Sequence, residues 1–487
     1  MRLALSGLVL AFAILLVPAH SEPGRPRAAE GYARRLVSAG LLELPTDEEG
    51  VRTVVHEGRP RADVTPLDVA VALPGALVAR AAHDDSRARQ LGAMLLPFVL
   101  LASIGGIFFS RLRRTSGLGL PLGHALAATL ALLFSTSLLL ALRRADATLV
   151  AVLALLMLVD RLSSSPLLRD RLHFLELGLL SLTLILAQPA YELVALALVL
   201  LDVARRRGTM GLAVPLLLSL LPLLLAAVGW RVWSLRVGLP PETSDAHALA
   251  LYGLLLSPGR SLFVYSPIAL VGVLGLPKLW ARDRVRTEAI CIALLAGLWG
   301  VAARADWHGD PAFGPPLVLP LLPLLVEPAA LMLVSLTGRA LFTTAAMAGV
   351  VVQLLGVSVN VEAWPRVMSD VRVATGAPGW FLAPASDIQF VPQLSPLVGH
   401  ALLLPISLGM APPKKPPFAL VVGSDQADAG KPDRGWQEVA ARLDRRKLRP
   451  DLLIAAGSST FAVRQLVLWM LVSVLSFFLL ARARRRS

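Results

Sequence analysis

The residues with chemical potential are few, and they gather in four short stretches. Asp306-Trp307-His308-Gly309-Asp310 crowds two carboxylates and an imidazole into one turn's length of chain, followed by Pro311-Ala312-Phe313-Gly314-Pro315-Pro316. A carboxylate so placed can act as a base or bind a divalent metal. The plain alternative is an interfacial bend with the indole at headgroup level. The second stretch is Leu256-Ser257-Pro258-Gly259-Arg260-Ser261-Leu262-Phe263-Val264-Tyr265-Ser266-Pro267. The guanidinium of Arg260 can hold a phosphate oxygen by charge-assisted hydrogen bonds, or else snorkel to lipid headgroups. The third holds Glu30, then Glu43, Asp47, Glu48 and Glu49, then His56-Glu57. A carboxylate beside a lipid phosphate can take the proton of an acceptor hydroxyl. Glu30 is the better placed, because it opens an amphipathic segment; Asp47–Glu49 have the composition of a solvated loop. The fourth is Ser395-Pro396-Leu397-Val398-Gly399-His400, whose His400 is either a turn or interface histidine or a member of the site. There is no phosphate-cradling glycine loop, no Cys/His metal cluster and no H-E-x-x-H, and nothing certain calls for a cofactor.

The elements that must position these residues are apolar. Of 487 residues, 55% are hydrophobic and 16% charged, and the mean hydropathy is +0.67. Runs of about 20 apolar residues cross a bilayer as helix. Aromatics are only 6% and no short alternating segments appear, so helices rather than barrel strands are expected. The runs are Leu3–Val17, Leu91–Phe109, Leu118–Leu142, Leu149–Val159, Phe174–Leu186, Leu193–Val203, Gly211–Trp230, Leu262–Leu276, Ala289–Ala302, Leu317–Leu336, Phe342–Val359 and Val463–Leu480. They predict an all-α, polytopic membrane helix bundle of about twelve spans. Arg2 and the Pro18-Ala19-His20-Ser21 that follows the first run fit an uncleaved signal-anchor or a cleaved signal peptide. Both place the next segment on the same side.

The arginines orient the bundle. With the first residue in the cytoplasm, the inside loops hold Arg111/Arg113/Arg114, Arg161/Arg169/Arg171, Arg205–Arg207, Lys278/Arg282/Arg284/Arg286, Arg339 and the terminal arginines. The bias follows the positive-inside rule. It accounts for the net charge of +14 without nucleic acid, for which no interleaved basic and aromatic surface exists; the basic loops meet membrane lipids instead. The expected location is a bacterial inner membrane, with both termini cytoplasmic. Three long segments, 19–90, 231–261 and 360–461, then share the periplasmic face. Two stretches there have the pattern of interfacial helices: Tyr32–Leu41, and the segment from Trp436 to Arg446 that follows the stiff Pro412–Pro417 connector. Within the spans, ionisable residues are scarce; Glu192 and Glu327 fall near span ends. Cys291 is the only cysteine, so no intrachain disulfide exists. Internal repeats of the transporter kind are not visible.

In this order the stretches resemble a known group. Leu256–Pro267 is similar to the S-P-x-R-G-L-F-x-Y-S-P segment of bacterial polytopic glycosyltransferases of the GT-C superfamily, the polyprenyl-phosphate-mannose protein mannosyltransferase-like and RgtA/B/C/D-like group. Trp307–Pro315 resembles that group's W-x-G-[DG]-x-x-[FW]-G-P-R, and Leu319-Pro320-Leu321-Leu322-Pro323 its continuation. Val352-Gln353-Leu354-Leu355-Gly356-Val357, Ser395–His400 and the opening Glu30–Leu44 resemble further stations. The likeness implies a GT-C-like membrane domain over residues 1–410, with first loop 19–90. A periplasmic segment 411–461 follows, then a last helix and basic tail, 462–487. It also implies transfer of a sugar from a polyprenyl-phosphate donor to a lipid, glycan or protein acceptor at the periplasmic face. Glu30 is implied as the base and Arg260 as the donor-phosphate ligand, with Asp306, His308, Asp310 and His400 as further site candidates. Two positions depart from the pattern: Pro316 stands where an arginine is usual, and Ala62–Asp68 replaces a segment that commonly reads S-K-Y-P-P-G. The alternatives are a non-catalytic relative acting as partner or lipid-binding module, and a transporter or flippase.

Overall fold

The computed structural model describes residues 54–56, 59–61, 65–81, 86–114, 118–143, 146–163, 171–205, 213–237, 247–304, 313–359 and 395–408. It adds a few isolated positions, among them Trp307, Trp364 and Phe390. The first and last apolar runs and both expected interfacial helices lie outside these residues.

A two-strand hairpin, β1 (Val54–His56) and β2 (Arg59–Arg61), precedes the helices, paired antiparallel with Val55 opposite Pro60. It is a small departure from an all-helical chain. Helix α1 (Pro66–Ala81) follows. Its start is a reciprocal cap: the Asp68 N–H donates to Thr65 Oγ1 (3.1 Å) and the Thr65 N–H to Asp68 Oδ2 (2.6 Å), with proline at the first helical position. Then come α2 (Ser86–Arg113), α3 (Leu122–Phe134), α4 (Thr148–Ser163), α5 (Arg171–Ala187), α6 (Glu192–Arg205), α7 (Ala213–Val237) and α8 (His247–Leu255). The series continues with α9 (Leu262–Tyr265), α10 (Ile268–Arg282), α11 (Arg284–Ala302), α12 (Leu322–Met332), α13 (Leu336–Ser358) and α14 (Pro396–Ser407).

Each apolar run between Leu91 and Val359 coincides with one or two of these helices. Several are broken by identifiable residues. The run Leu118–Leu142 stops being α-helical at Phe134. There Ser135 and Thr136 turn their hydroxyls back onto the carbonyls of Ala131 (2.5 Å) and Leu132 (2.6 Å), and a 3-10 turn, Leu140–Arg143, completes the run. Leu262–Leu276 breaks at Ser266-Pro267, and Leu317–Leu336 begins as a 3-10 helix, Pro316–Leu321, because Pro320 and Pro323 cannot donate. Among the described residues, two helices, Arg284–Ala302 and Leu336–Ser358, are by themselves long and apolar enough to cross a membrane.

The outer surface suits lipid. On α7, Leu221, Leu224, Leu225, Val228 and Val232 recur at helical spacing and are 48–60% exposed. An apolar stripe left outside is stable only where the surroundings are apolar too. Inside, leucine, alanine and valine pack into one continuous core from α2 to α13. Helices α10 and α12 approach most closely where Gly272 and Gly275 meet the carbonyls of Leu325 and Pro328; a Cβ on either glycine would fall 2.0–2.2 Å from those oxygens.

The two ends of the bundle differ. At the arginine-rich end, Arg161 pairs with Glu176 (2.6 Å), Arg205 with Glu288, and Arg286 Nη1 donates to Ser163 (3.2 Å). Deeper at this end lies a buried charge network. Glu327 of α12 is fully buried, with Arg111 Nη2 of α2 at 2.9 Å and the Arg286 guanidinium of α11 against it. Asp160 of α4 stands 3.5 Å from Arg111 and 3.6 Å from Arg286. Two cations and two anions thus tie four helices together. Glu327 is therefore an ion-pair residue in the middle of α12, level with the terminal turns of α2, α4 and α11, and Arg111 and Arg286 are buried, not solvated loop charges.

Candidate functional site

The site candidates gather at the opposite end. The chain leaves α8 at Leu255 and turns through Ser257-Pro258-Gly259-Arg260. Ser257 Oγ accepts from the Gly259 N–H (3.2 Å), and Ser261 Oγ caps α9 by accepting from the Val264 N–H (3.1 Å). Both serines are fully buried. Arg260, held between them, is 5% exposed. A guanidinium so enclosed is not lying across a lipid-facing surface; its charge is directed into the protein, where low dielectric strengthens any contact with an anion.

Helix α9 stops at Tyr265 because Pro267 cannot continue it, and the freed Tyr265 carbonyl accepts from Gln353 Nε2 of α13 (2.7 Å). The Tyr265 ring meets Phe313 edge-on at 4.8 Å, and Phe313 in turn faces His400 of α14 at 4.8 Å. Burial of His400 is complete, and its Nδ1–H donates to the Leu355 carbonyl (3.1 Å). Gly314 next to Phe313 has φ +88°, and a Cβ there would fall 3.1 Å from Ser137 Oγ and 3.2 Å from the Tyr265 ring, so neither the backbone nor the space suits a side chain. Ser137 is tied to the same place: its N–H donates to Ser266 Oγ (3.1 Å). A second contact joins the two connectors. The Trp307 indole covers Gly253 of α8 and lies 6.1 Å from Phe390, which stacks on Tyr252 at 5.9 Å.

Downstream, the 3-10 helix starting at Pro316 is anchored by Gln188 Nε2 (2.8 Å) and Tyr191 Oη (3.0 Å), both donating to the Leu317 carbonyl. Pro320 lacks the N–H that a 3-10 bond to that carbonyl would use. Pro316 itself is buried. The position that commonly carries a cation in the resembled pattern is here an apolar member of the core. Asp68, in the segment that replaces S-K-Y-P-P-G, is fully buried as well. Its Oδ1 accepts from the Ala147 N–H at the head of α4 (2.8 Å), which pins α1 to the bundle.

Of the sequence candidates, His400 joins the aromatic cluster of Tyr265 and Phe313, and Arg260 lies one short helix away, near enough for its charge to act on Tyr265. Glu30, Asp306, His308 and Asp310 lie outside the described residues. Among the described residues no group of three or more His, Cys, Asp or Glu could hold a metal. The sequence candidates did not include Tyr265, Gln353, Ser137 or Gly314. A proline directly after Y-S, which ends a helix and frees carbonyls that some side chain must satisfy, is the signal that could have found Gln353.

No family model matches the chain, and no curated protein sequence is similar to it. The solved structures similar to the chain include two of one protein. ArnT from Cupriavidus metallidurans bound to undecaprenyl phosphate aligns over 82% of this chain and 70% of its own, with 14% identity and a TM-score of 0.45. The apo state of the same protein aligns over 96% of this chain and 76% of its own, again with 14% identity and a TM-score of 0.45. A likeness this loose carries no conclusion about activity.

Proposed function

We propose that the chain is a GT-C-type glycosyltransferase of a bacterial inner membrane, moving a sugar from a polyprenyl-phosphate donor to a lipid, glycan or protein acceptor on the periplasmic side. The observation that carries this reading is the convergence of three separate motif stretches. Arg260 with Tyr265, Phe313 with Gly314, and His400 meet at the end away from the arginine clusters. Core packing of Tyr265 and Phe313 holds these stretches in place, and their convergence is what one shared site would need.

The chemistry asks little of the protein. The acceptor hydroxyl oxygen forms a bond to the anomeric carbon while the bond from that carbon to the phosphate oxygen breaks. Polyprenyl phosphate leaves with the electron pair, and the hydroxyl proton passes to a carboxylate, for which Glu30 is the proposed base. Arg260 would hold the phosphate and stabilise the charge it gains on leaving. Should Asp306 and Asp310 hold a divalent cation, it would assist the same leaving group. A second reading, a non-catalytic relative that binds such lipids, is favoured by one observation: buried Pro316 where the resembled pattern has an arginine. Transfer of label from a set of polyprenyl-phosphate sugars by membranes carrying the protein decides between them. Transfer that is lost in Glu30→Gln and weakened in Arg260→Ala supports the enzyme. Binding of the lipid with no transfer from any donor supports the second reading.

A further inference from the structure

The inward face of α13 near the site reads Gly349, Gln353, Gly356, at successive helical turns. The two glycines admit close neighbours. A Cβ at Gly349 would fall 2.2 Å from the Ser135 carbonyl oxygen, and one at Gly356 would fall 2.8 Å from the Phe313 ring. Between them the Gln353 side chain is fully buried. Its Nε2 donates to the Tyr265 carbonyl at 2.7 Å. That bond fixes which way the amide faces, since the reversed amide would set two acceptor oxygens against each other. The remaining atom, Oε1, is buried, and none of the described residues donates to it. A buried amide oxygen with no donor loses its hydration for nothing in return. The neighbours Val352, Leu354 and Leu355 are apolar, and a leucine or methionine would fill the same volume without that loss.

We propose that Gln353 Oε1 is the acceptor for a hydroxyl of the sugar carried into this site, making Gln353 a residue that selects the sugar. The proposal rests on the glycosyl-transfer reading and deepens it. An amide oxygen can only accept, so its ligand must donate; a phosphate or carboxylate has no proton to offer, whereas a sugar presents hydroxyls. The anionic part of the donor has a different partner in Arg260. The two residues are linked through one short helix: Arg260 lies just ahead of α9, and Gln353 holds the carbonyl at its end. The same helix thus sets the spacing between a grip on phosphate and a grip on the sugar ring.

The test uses the full-length protein in lipid nanodiscs and polyprenyl-phosphate sugars lacking one ring hydroxyl at a time. Transfer is measured with wild type and with Gln353→Met. At one hydroxyl position, deoxygenation should lower wild-type kcat/KM by about tenfold or more and should cost the Gln353→Met protein nothing further. At the other positions both proteins should lose equally. Equal losses at every position overturn the proposal and assign the oxygen to a bound water. A measurement on wild type alone guards against a variant that does not fold: thermal stabilisation by the sugar-bearing lipid against bare polyprenyl phosphate. The sugar should add stabilisation, and one deoxy-sugar should remove that increment; no difference between the two lipids overturns the proposal. Sugar-dependent stabilisation without transfer would sink the glycosyl-transfer reading and leave Gln353 as a sugar contact. Transfer without any position-specific loss would do the reverse.

Discussion

Replacing Glu327 by methionine should destabilise the bundle severely, and removing Arg286 as well should restore most of the loss. In the wild type the Glu327 carboxylate is enclosed completely, between Arg111 Nη2 at 2.9 Å and the Arg286 guanidinium. Glu327→Met preserves volume but leaves the two buried arginines with Asp160, itself 23% exposed, as the carboxylate within ion-pair distance of both. Removing one partner from a buried ion pair costs about 3–5 kcal/mol. At about 1.36 kcal/mol per power of ten, the unfolded fraction should rise by roughly two to four powers of ten. Glu327→Met with Arg286→Met keeps one cation, Arg111, against one anion, Asp160, at 3.5 Å. A balanced pair with apolar filling is about as stable as the original network. The assay is the monodisperse fraction that survives heating in mild detergent, followed by size-exclusion chromatography. The pair should show strong non-additivity, as expected for residues in one network. A single variant as heat-resistant as wild type would refute the reasoning, and so would a double variant whose loss equals the sum of the two single losses.

Arg260→Ala should weaken polyprenyl-phosphate binding by about 10- to 150-fold, the worth of one charge-assisted contact of about 1.5–3 kcal/mol. Arg260→Lys should fall between the two, and equilibrium titration with the bare lipid reads both; unchanged affinity in the alanine variant removes the phosphate contact. Gly314→Ala places a side chain at φ +88° against Ser137 Oγ at 3.1 Å and Tyr265 at 3.2 Å. It should cost about 1–2 kcal/mol and lower heat resistance, with no effect on stability counting against the tight packing of Tyr265. Asp68→Asn exchanges one of two carboxylate oxygens, each accepting a backbone N–H, for a donor. About 1–3 kcal/mol should be lost, visible as faster proteolysis of the segment before α2; wild-type resistance would show that α1 is held otherwise.

The spans were largely legible because a helix in lipid must be apolar along its length, and the runs from Leu91 to Val359 say so. Their interruptions were less legible. Ser135 and Thr136 look harmless inside an apolar run, yet their hydroxyls compete with the backbone and end α3 early. Helix α1 escaped notice because Pro66 and Asp68 look like loop residues until the reciprocal cap with Thr65 is seen. Arg111 and Arg286 were read as markers of sidedness, and that reading hid their pairing with Glu327, since pattern alone does not tell a solvated arginine from a buried one. A glutamate within the run Leu317–Leu336 was the available clue, since in an apolar setting it needs a cation; which cations those are came only from the packing. At the site, Arg260 and His400 could be named from motif resemblance. Tyr265 and Gln353 needed the three-dimensional break at Pro267.

A glycosyltransferase of this kind must move a sugar off a polyprenyl phosphate. Purified protein in liposomes, supplied with radiolabelled polyprenyl-phosphate sugars and an envelope lipid extract as acceptor, should release polyprenyl phosphate in step with labelled product. Arg260→Ala should slow that release and Glu30→Gln should abolish it. Label that stays on the donor lipid for every sugar offered, or release unaffected by both substitutions, would contradict the account.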